Sequence, residues 1–299
     1  MKYNKFLCSI IIPTYNRSDL ISLTLDSITK QDVDKRLIEV IVVDDGSSDD
    51  TRAVVKSFEE KLTVRYFFQE DKGYRVATAR NIGIRAAQGE ICVLIDSGII
   101  LGSCCISEHL DSHQVHQATA VIGYVYGFSN DVANAYSLRK FIDRLDTDEV
   151  IDYFKSTRTH LDLRENYYER YNDNLPALPA PWVFFWTSNV SIRRRDLIDI
   201  GFFDPQYNTN WGMEDVDLGY RLHLNNVKIR LNRNADSIHF PHDKDKEENM
   251  RQHEINLSYF VDKHKTADAE LFMEARLELN EVLLQEKMVV LENCRVQSE

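Results

Sequence analysis

Short apolar runs alternate with amphipathic stretches through the first half of the chain. Residues 7–12, 40–43, 64–68 and 91–95 each read as a strand. Between the first two, Ser18 is placed to cap a helix whose inner face carries Ile21, Leu25 and Ile28. Asp49 or Asp50 can cap the next helix, which buries Val54, Val55 and Phe58. An Ala-rich helix follows over 77–87, closed by Gly89. The run at 91–95 is apolar at every position, the pattern of a parallel central strand covered on both faces. Residues 120–126 predict a fifth strand. This alternation predicts an α/β fold with a mostly parallel sheet. Such sheets bind ligands beyond the carboxyl ends of their strands. Polar residues gather at those ends: Thr14-Tyr15-Asn16-Arg17, Asp44-Asp45-Gly46-Ser47 and Asp96-Ser97-Gly98.

The second half is less regular. Residues 131–174 are charged and Tyr-rich, and predict a helix followed by a mobile segment. Pro176, Pro179 and Pro181 punctuate a loop. Residues 184–192 read as a strand carrying Trp186, Thr187, Ser188 and Asn189; the sequon Asn189-Val190-Ser191 reads as incidental in that context. The densest chemistry lies over 211–222, where Trp211 and Gly212 precede the carboxylates Glu214, Asp215 and Asp217. Leu218 and Leu222 lie one turn apart and can face a core, while Asp217 and Arg221 are spaced as an i,i+4 pair. Glu214 and Asp215 then fall in the first helical turn, where the helix dipole favours anions. A carboxylate in an otherwise apolar pocket beside Trp211 can remove a proton from a bound hydroxyl. Alone, the stretch reads equally well as an ordinary acidic helix start. A strand at 227–231, the sequence Ser237-Ile238-His239-Phe240-Pro241-His242 and a charged helical extension complete the chain.

Composition narrows the classes. The 299 residues suffice for one large domain with an appendage, or two domains. A net charge of −12 argues weakly against nucleic acid as the main partner, because phosphate backbones need a basic face. The five cysteines are an odd number without metal-site spacing, and Cys8 and Cys92 sit in apolar runs as expected of buried packing residues. A reducing, cytoplasmic setting is the expectation. The N-terminal apolar run is short and lacks a cleavage pattern, so it reads as a strand and not as a signal peptide. No apolar segment is long enough to span a bilayer. Neither G-x-G-x-x-G nor a Walker sequence is present, which removes the main support for dinucleotide and P-loop readings.

Five blocks taken in order carry a resemblance: Ile12-Pro13-Thr14-Tyr15-Asn16-Arg17, Val43-Asp44-Asp45-Gly46-Ser47-Ser48-Asp49, Ala79-Arg80-Asn81-Ile82-Gly83, Leu94-Ile95-Asp96-Ser97, and residues 201–222 from Gly201-Phe202-Phe203-Asp204 to Arg221-Leu222. With them the chain resembles glycosyltransferase family 2, inverting enzymes of the GT-A fold. Its last block is similar to the acceptor half of galactosyl- and N-acetylgalactosaminyl-transferases such as chondroitin polymerase. The resemblance implies a GT-A domain over residues 1–242, with a nucleotide-binding half over about 1–126 and an acceptor half over about 127–242, then a helical extension over 243–299.

It also implies roles. Pro13, Tyr15 and Arg17 would line the base pocket, and Asp44 or Asp45 would accept a hydrogen bond from uracil. Arg80 and Asn81 would face the diphosphate or sugar, with Asp96 and Ser97 near the ribose and metal. Asp215 would be the catalytic base and Glu214 would touch donor sugar or acceptor. Trp186, Asn189, Trp211 and Gly212 would line the sugar and acceptor side. The donor would be a UDP-sugar and the acceptor a glycan, protein or small molecule. Inverting transfer needs a base on the acceptor side and a charge sink, usually a divalent cation, for the departing diphosphate. Here the sequence departs from the family's D-x-D pattern, because Gly98 stands where the second aspartate belongs. Asp96 with His239 or His242 could still hold Mn2+ or Mg2+ together with diphosphate oxygens. The C-terminal helices are expected to serve packing or homo-oligomerisation. Two other functions compete: a catalytically silent carbohydrate-binding relative, and a sugar nucleotidyltransferase, for which the glycine-rich basic loop is missing.

Overall fold

The computed structural model describes residues 6–128, 138–142, 144–242 and 245–296, with side chains described as far as 287. One eight-stranded sheet runs through it in the order β3-β2-β1-β4-β7-β6-β8-β5. The strands are β1 (Cys8–Thr14), β2 (Ile38–Asp44), β3 (Val64–Phe68), β4 (Ile91–Ile95), β5 (Ile99–Leu101), β6 (Thr119–Tyr126), β7 (Asn189–Arg193) and β8 (Lys228–His239). β1, β2, β3 and β4 pair in parallel, as the alternation of strand and helix requires.

Two cores explain why the central runs are apolar at successive positions. Ile10, Ile12, Val40, Val42, Val93 and Ile95 face one layer, with Ile21, Leu25 and Ile28 of helix Ser18–Thr29 and Ile106 of helix Cys105–Val115. Ile11, Ile41, Val43, Cys92 and Leu94 face the other, with Ala77, Ala79 and Ile84 of helix Val76–Ala86 and most of the second half of the chain. Alternate residues thus feed opposite cores, and the buried polar pair near the strand starts satisfies itself, with Ser9 Oγ donating to Glu39 Oε1 at 2.7 Å.

Several elements differ from the sequence expectations. β4 is parallel only to β1; its other neighbour, β7, is antiparallel. Burial on both faces makes a strand apolar whatever the direction of its partners. The strand expected over 184–192 begins only at Asn189, because Pro181–Phe184 forms a 3-10 turn that leads into it. The strand expected over 227–231 runs on to His239, past a register shift against β6 at Gly123/Tyr124. The expected mobile segment holds the helices Thr147–Thr157 and Glu165–Arg170; residues 131–137 and 143 lie outside the described part. Between these helices, buried Arg164 and Asp162 pair at 2.7 Å. Ser18 is not a cap: it lies inside its helix, and its N–H donates to Asp49 Oδ2 at 2.9 Å. The C-terminal region folds into helices Lys246–His264, Ala267–Ala275 and Leu279–Val296. Among the described residues no helix is long and apolar enough to cross a membrane.

Candidate active site

A cleft of about 510 Å³ opens at the carboxyl ends of the parallel strands. Pro13, Tyr15 and Arg17 line it from the loop after β1, Asp45 from the loop after β2, and Asp96 and Ser97 from the end of β4. Three separate strand ends thus deliver polar groups to one space, as open α/β sheets do.

The two aspartates after β2 divide the work. Asp44 is buried: its Oδ1 accepts from the N–H groups of Gly46 and Ser47 at 3.1 and 2.7 Å, and its Oδ2 accepts from Tyr66 Oη at 2.5 Å. Asp44 shapes the turn and does not line the cleft. Asp45 does, with its carboxylate held by Gln69 Nε2 at 2.5 Å and by the backbone N–H of Arg75 at 2.8 Å. Gly46 sits at φ +100°, and a Cβ there would lie 2.5 Å from Asp71 backbone, so only glycine lets the two loops meet.

Arg80 links the end of β4 to the acidic helix. Helix Val76–Ala86 carries its buried guanidinium to the cleft wall, where it donates to Asp96 Oδ1 and to Glu214 Oε1, each at 2.8 Å. Burial opposes its charge, but the two carboxylates prevail and hold it firmly protonated. Phe203 packs under it, 5.4 Å from ring centre to guanidinium carbon. Asn81, the next residue, turns the other way. Its amide donates to Phe203 O at 2.8 Å and accepts from Phe203 N–H at 2.9 Å, so it fastens the Gly201–Asp204 block and does not reach the cleft. That corrects its expected place at the diphosphate: a motif fixes the helix, not the direction in which each of its side chains leaves it.

The acidic helix spans Glu214–Leu224. Gly212 at φ +87° and Met213 at φ +75° are both left-handed, and this sharp turn aims the first helical residues. Glu214 is buried, and its Oε2 has no hydrogen-bond partner among the described residues. Asp215 is half-buried, and its Oδ1 accepts from Val216 N–H at 2.8 Å. Burial pushes its carboxyl up to about 7; the neighbouring Glu214 charge adds to this and Arg80 opposes it. Neither acid is part of the cleft wall, yet the charge of Asp215 is felt by Arg80, Asp96 and Tyr74, which are. Further along the helix, Leu218 and Leu222 are buried as expected, and Arg221 Nε reaches Asp217 Oδ2 at 2.7 Å.

The remaining expected residues separate. Trp211 lines the cleft with 40% of its surface exposed. His239 and His242 line it too, from the end of β8 onward, with ring centres 5.1 Å apart. Trp186 stands one layer behind, 6.0 Å from Phe128 and 4.9 Å from the Arg164 guanidinium. Asn189, expected on the sugar side, does not line the cleft. It is buried, donates to Ala235 O at 2.9 Å and Ser237 Oγ at 3.0 Å, and meets His109 Nε2 at 2.8 Å. A buried amide in a mixed sheet has to satisfy its own polar groups there.

Asp96 keeps 39% of its side chain exposed, and its second oxygen has no partner among the described residues. Among those residues, no three His, Cys, Asp or Glu side chains are gathered closely enough to hold an ion by themselves. Carboxylate oxygen and imidazole nitrogen on one cleft are nevertheless a donor set that suits Mn2+ better than Mg2+.

Sequence reasoning missed two parts of the cleft. Tyr74 lines it, partly exposed, on a loop pinned where Thr209 N–H donates to Tyr74 O at 2.6 Å. Asp245, Asn249 and Gln252 line it from the start of helix Lys246–His264. Their spacing of four and three residues on a charged helix was the available signal. The same helix grips the acidic one: Lys263 Nζ and His264 Nε2 reach buried Asp217 Oδ1 at 2.7 and 2.8 Å.

The family model described as glycosyl transferase family 2 matches residues 9–201. A validoxylamine A glucosyltransferase of Streptomyces hygroscopicus subsp. jinggangensis is 36% identical over 268 residues, which cover 89% of this chain and 63% of that protein. Chondroitin synthase of Escherichia coli is 30% identical over 239 residues, covering 77% of this chain and 34% of that protein. The chain therefore spans less than two thirds of the length of these relatives. Among solved structures, S. aureus TarS 1-349 in complex with UDP-GlcNAc has the same fold at TM-score 0.61 and 17% identity, over 91% of this chain and 72% of that one. Glu214, Asp215 and the C-terminal helices lie beyond the stretch that the family model covers. With more than half of its residues matched by that model, the chain belongs to glycosyl transferase family 2.

Proposed function

We propose that this protein transfers a hexosyl or N-acetylhexosaminyl unit from a UDP-sugar to an acceptor nucleophile by a single inverting displacement. The observation that carries the proposal is the bridge through Arg80. One buried guanidinium ties Asp96, at a donor-side strand end, to Glu214, at the head of the acidic helix, with 2.8 Å contacts to both. Asp215 follows Glu214 directly, and its carboxyl is raised to about 7, so it can accept a proton near neutral pH. Adjacent helical residues point about 100° apart, so the two acids have separate targets. Asp215 is the general base. Glu214, held by Arg80 through one oxygen, offers the other to a hydroxyl of the donor sugar or acceptor.

On the donor side, Pro13, Tyr15 and Arg17 flank the base and Asp45 accepts from the uracil imide N–H. Asp96, His239 and His242 would hold a divalent cation against the diphosphate. When bound, that ion neutralises charge on the departing diphosphate. Arg17 and Arg80 supply fixed positive charge on the same wall. The relatives support the sugar class: one is named for glucosyl transfer, and TarS, alike in fold, holds UDP-GlcNAc.

The test is nucleotide release from UDP-glucose, UDP-galactose and UDP-GlcNAc, with wild type beside Asp215→Asn. Wild type should release UDP from at least one donor, and Asp215→Asn should slow this about 10²–10⁴-fold while still binding UDP. No release from any donor, with UDP binding intact, would instead mark a silent carbohydrate-binding relative.

A further inference from the structure

We propose that Asn249, on the first turns of helix Lys246–His264, is a specificity residue that selects a polyhydroxylated six-membered-ring acceptor seated on Trp211. The inference rests on the transferase reading above and extends it to the acceptor.

Asp245, Asn249 and Gln252 share one face of that helix and line the cleft together. Two of the three are already occupied. Asp245 caps the helix, with its Oδ1 accepting from Glu248 N–H at 3.0 Å. Gln252 is a brace: its Oε1 accepts from Trp211 N–H at 2.8 Å and its Nε2 donates to Glu248 Oε1 at 2.6 Å. Only the Asn249 amide has no hydrogen bond among the described residues, although it is half-buried in the wall. An amide carries two donors and an acceptor that can serve a pair of neighbouring hydroxyls.

The wall has a definite side. Gln252 holds the backbone of Trp211, and Asn256 Nδ2, one turn further on, donates to Gly212 O at 2.7 Å. These are the residues that lead directly into Glu214 and Asp215, so this face adjoins the base and therefore the acceptor. Trp211 presents a partly exposed indole to the cleft, on the wall it shares with Asn249 and Gln252. An indole face beside an unused amide is matched by a ring with one C–H face and equatorial hydroxyls at its rim. Gln252 fixes the backbone of Trp211, and Asn249 reads the hydroxyls.

The test uses UDP release with the 4-nitrophenyl glycosides of glucose, galactose, N-acetylglucosamine and N-acetylgalactosamine, and myo-inositol, as acceptor probes. Wild type should use at least one probe faster than water. For that probe, Asn249→Ala and Asn249→Asp should each raise the acceptor KM about tenfold or more, with little change in kcat. UDP affinity by calorimetry should stay within about twofold. An unchanged acceptor KM in both variants, an equal loss of UDP affinity, or UDP release to water but to none of the probes would each overturn the proposal. Absence of UDP release with every donor would instead strike the transferase reading itself.

Discussion

As the proposed base, Asp215 meets two opposed demands. Its carboxyl must be buried enough to be basic near neutral pH, and that burial disfavours its ionised form in the folded protein. Its folded pKa of about 7 lies above the ordinary 3.8, so the penalty is absent well below 3.8, grows as pH rises and is complete above about 7. Asp215→Asn should therefore unfold at a higher temperature than wild type, by a margin that widens from acid to neutral pH, while turnover falls. In wild type, kcat/KM should rise with pH through an acid limb near 7; a limb near 4 would mean that another group titrates. The aspartates after β2 should separate in the same way. Asp45→Ala should weaken UDP binding by about 1.5–3 kcal/mol in calorimetry. Asp44→Ala, which loses three bonds that shape the turn, should act mainly on stability. Asp215, Glu214, Arg80 and Asp96 could be singled out in the sequence because each falls in a contiguous motif, Asp96 just after a strand and the others on helices. The directions of Asn81 and Asn189 were not, since a polar residue in a motif can as readily satisfy backbone as ligand.

The acidic helix is held in place through its own buried charge. Asp217 takes Arg221 from one turn on, Tyr207 Oη at 3.2 Å, and Lys263 and His264 from the long C-terminal helix. Burial works against its carboxylate, but these partners win and bring it down to about 2. Because the folded value is depressed, this contribution to stability is present above the ordinary 3.8 and is lost as pH falls toward 2. Asp217→Asn leaves Arg221 without its counter-charge and Lys263 with Asp204 alone, and should destabilise the protein by about 3–5 kcal/mol in urea denaturation. Turnover should fall with it, because the helix that carries Asp215 loses its anchor. The i,i+4 pair and the buried leucines were readable from spacing alone. Lys263 and His264 were not, since no local pattern announces partners 46 and 47 residues away.

At the scale of the whole molecule, sheet class was legible and sheet direction was not. Runs that are apolar at every position reveal two covered faces, but β7 lies antiparallel beside β4 because of its connection, which periodicity does not encode. The same limit hid the cleft's fourth side, which arrives from a helix after residue 245. In the proposed reaction the cleft has to bring a diphosphate into a chain of net charge −12. Thorough chelation should accordingly abolish sugar transfer and Mn2+ should restore it; full activity under chelation would leave Arg17 and Arg80 as the charge sink. The central claim, a single displacement driven by one carboxylate base, is tested most directly by the anomeric configuration of the product. Proton NMR couplings from an α-linked UDP-sugar should show a β-linked product. A retained α configuration would contradict the account, whatever the variants do.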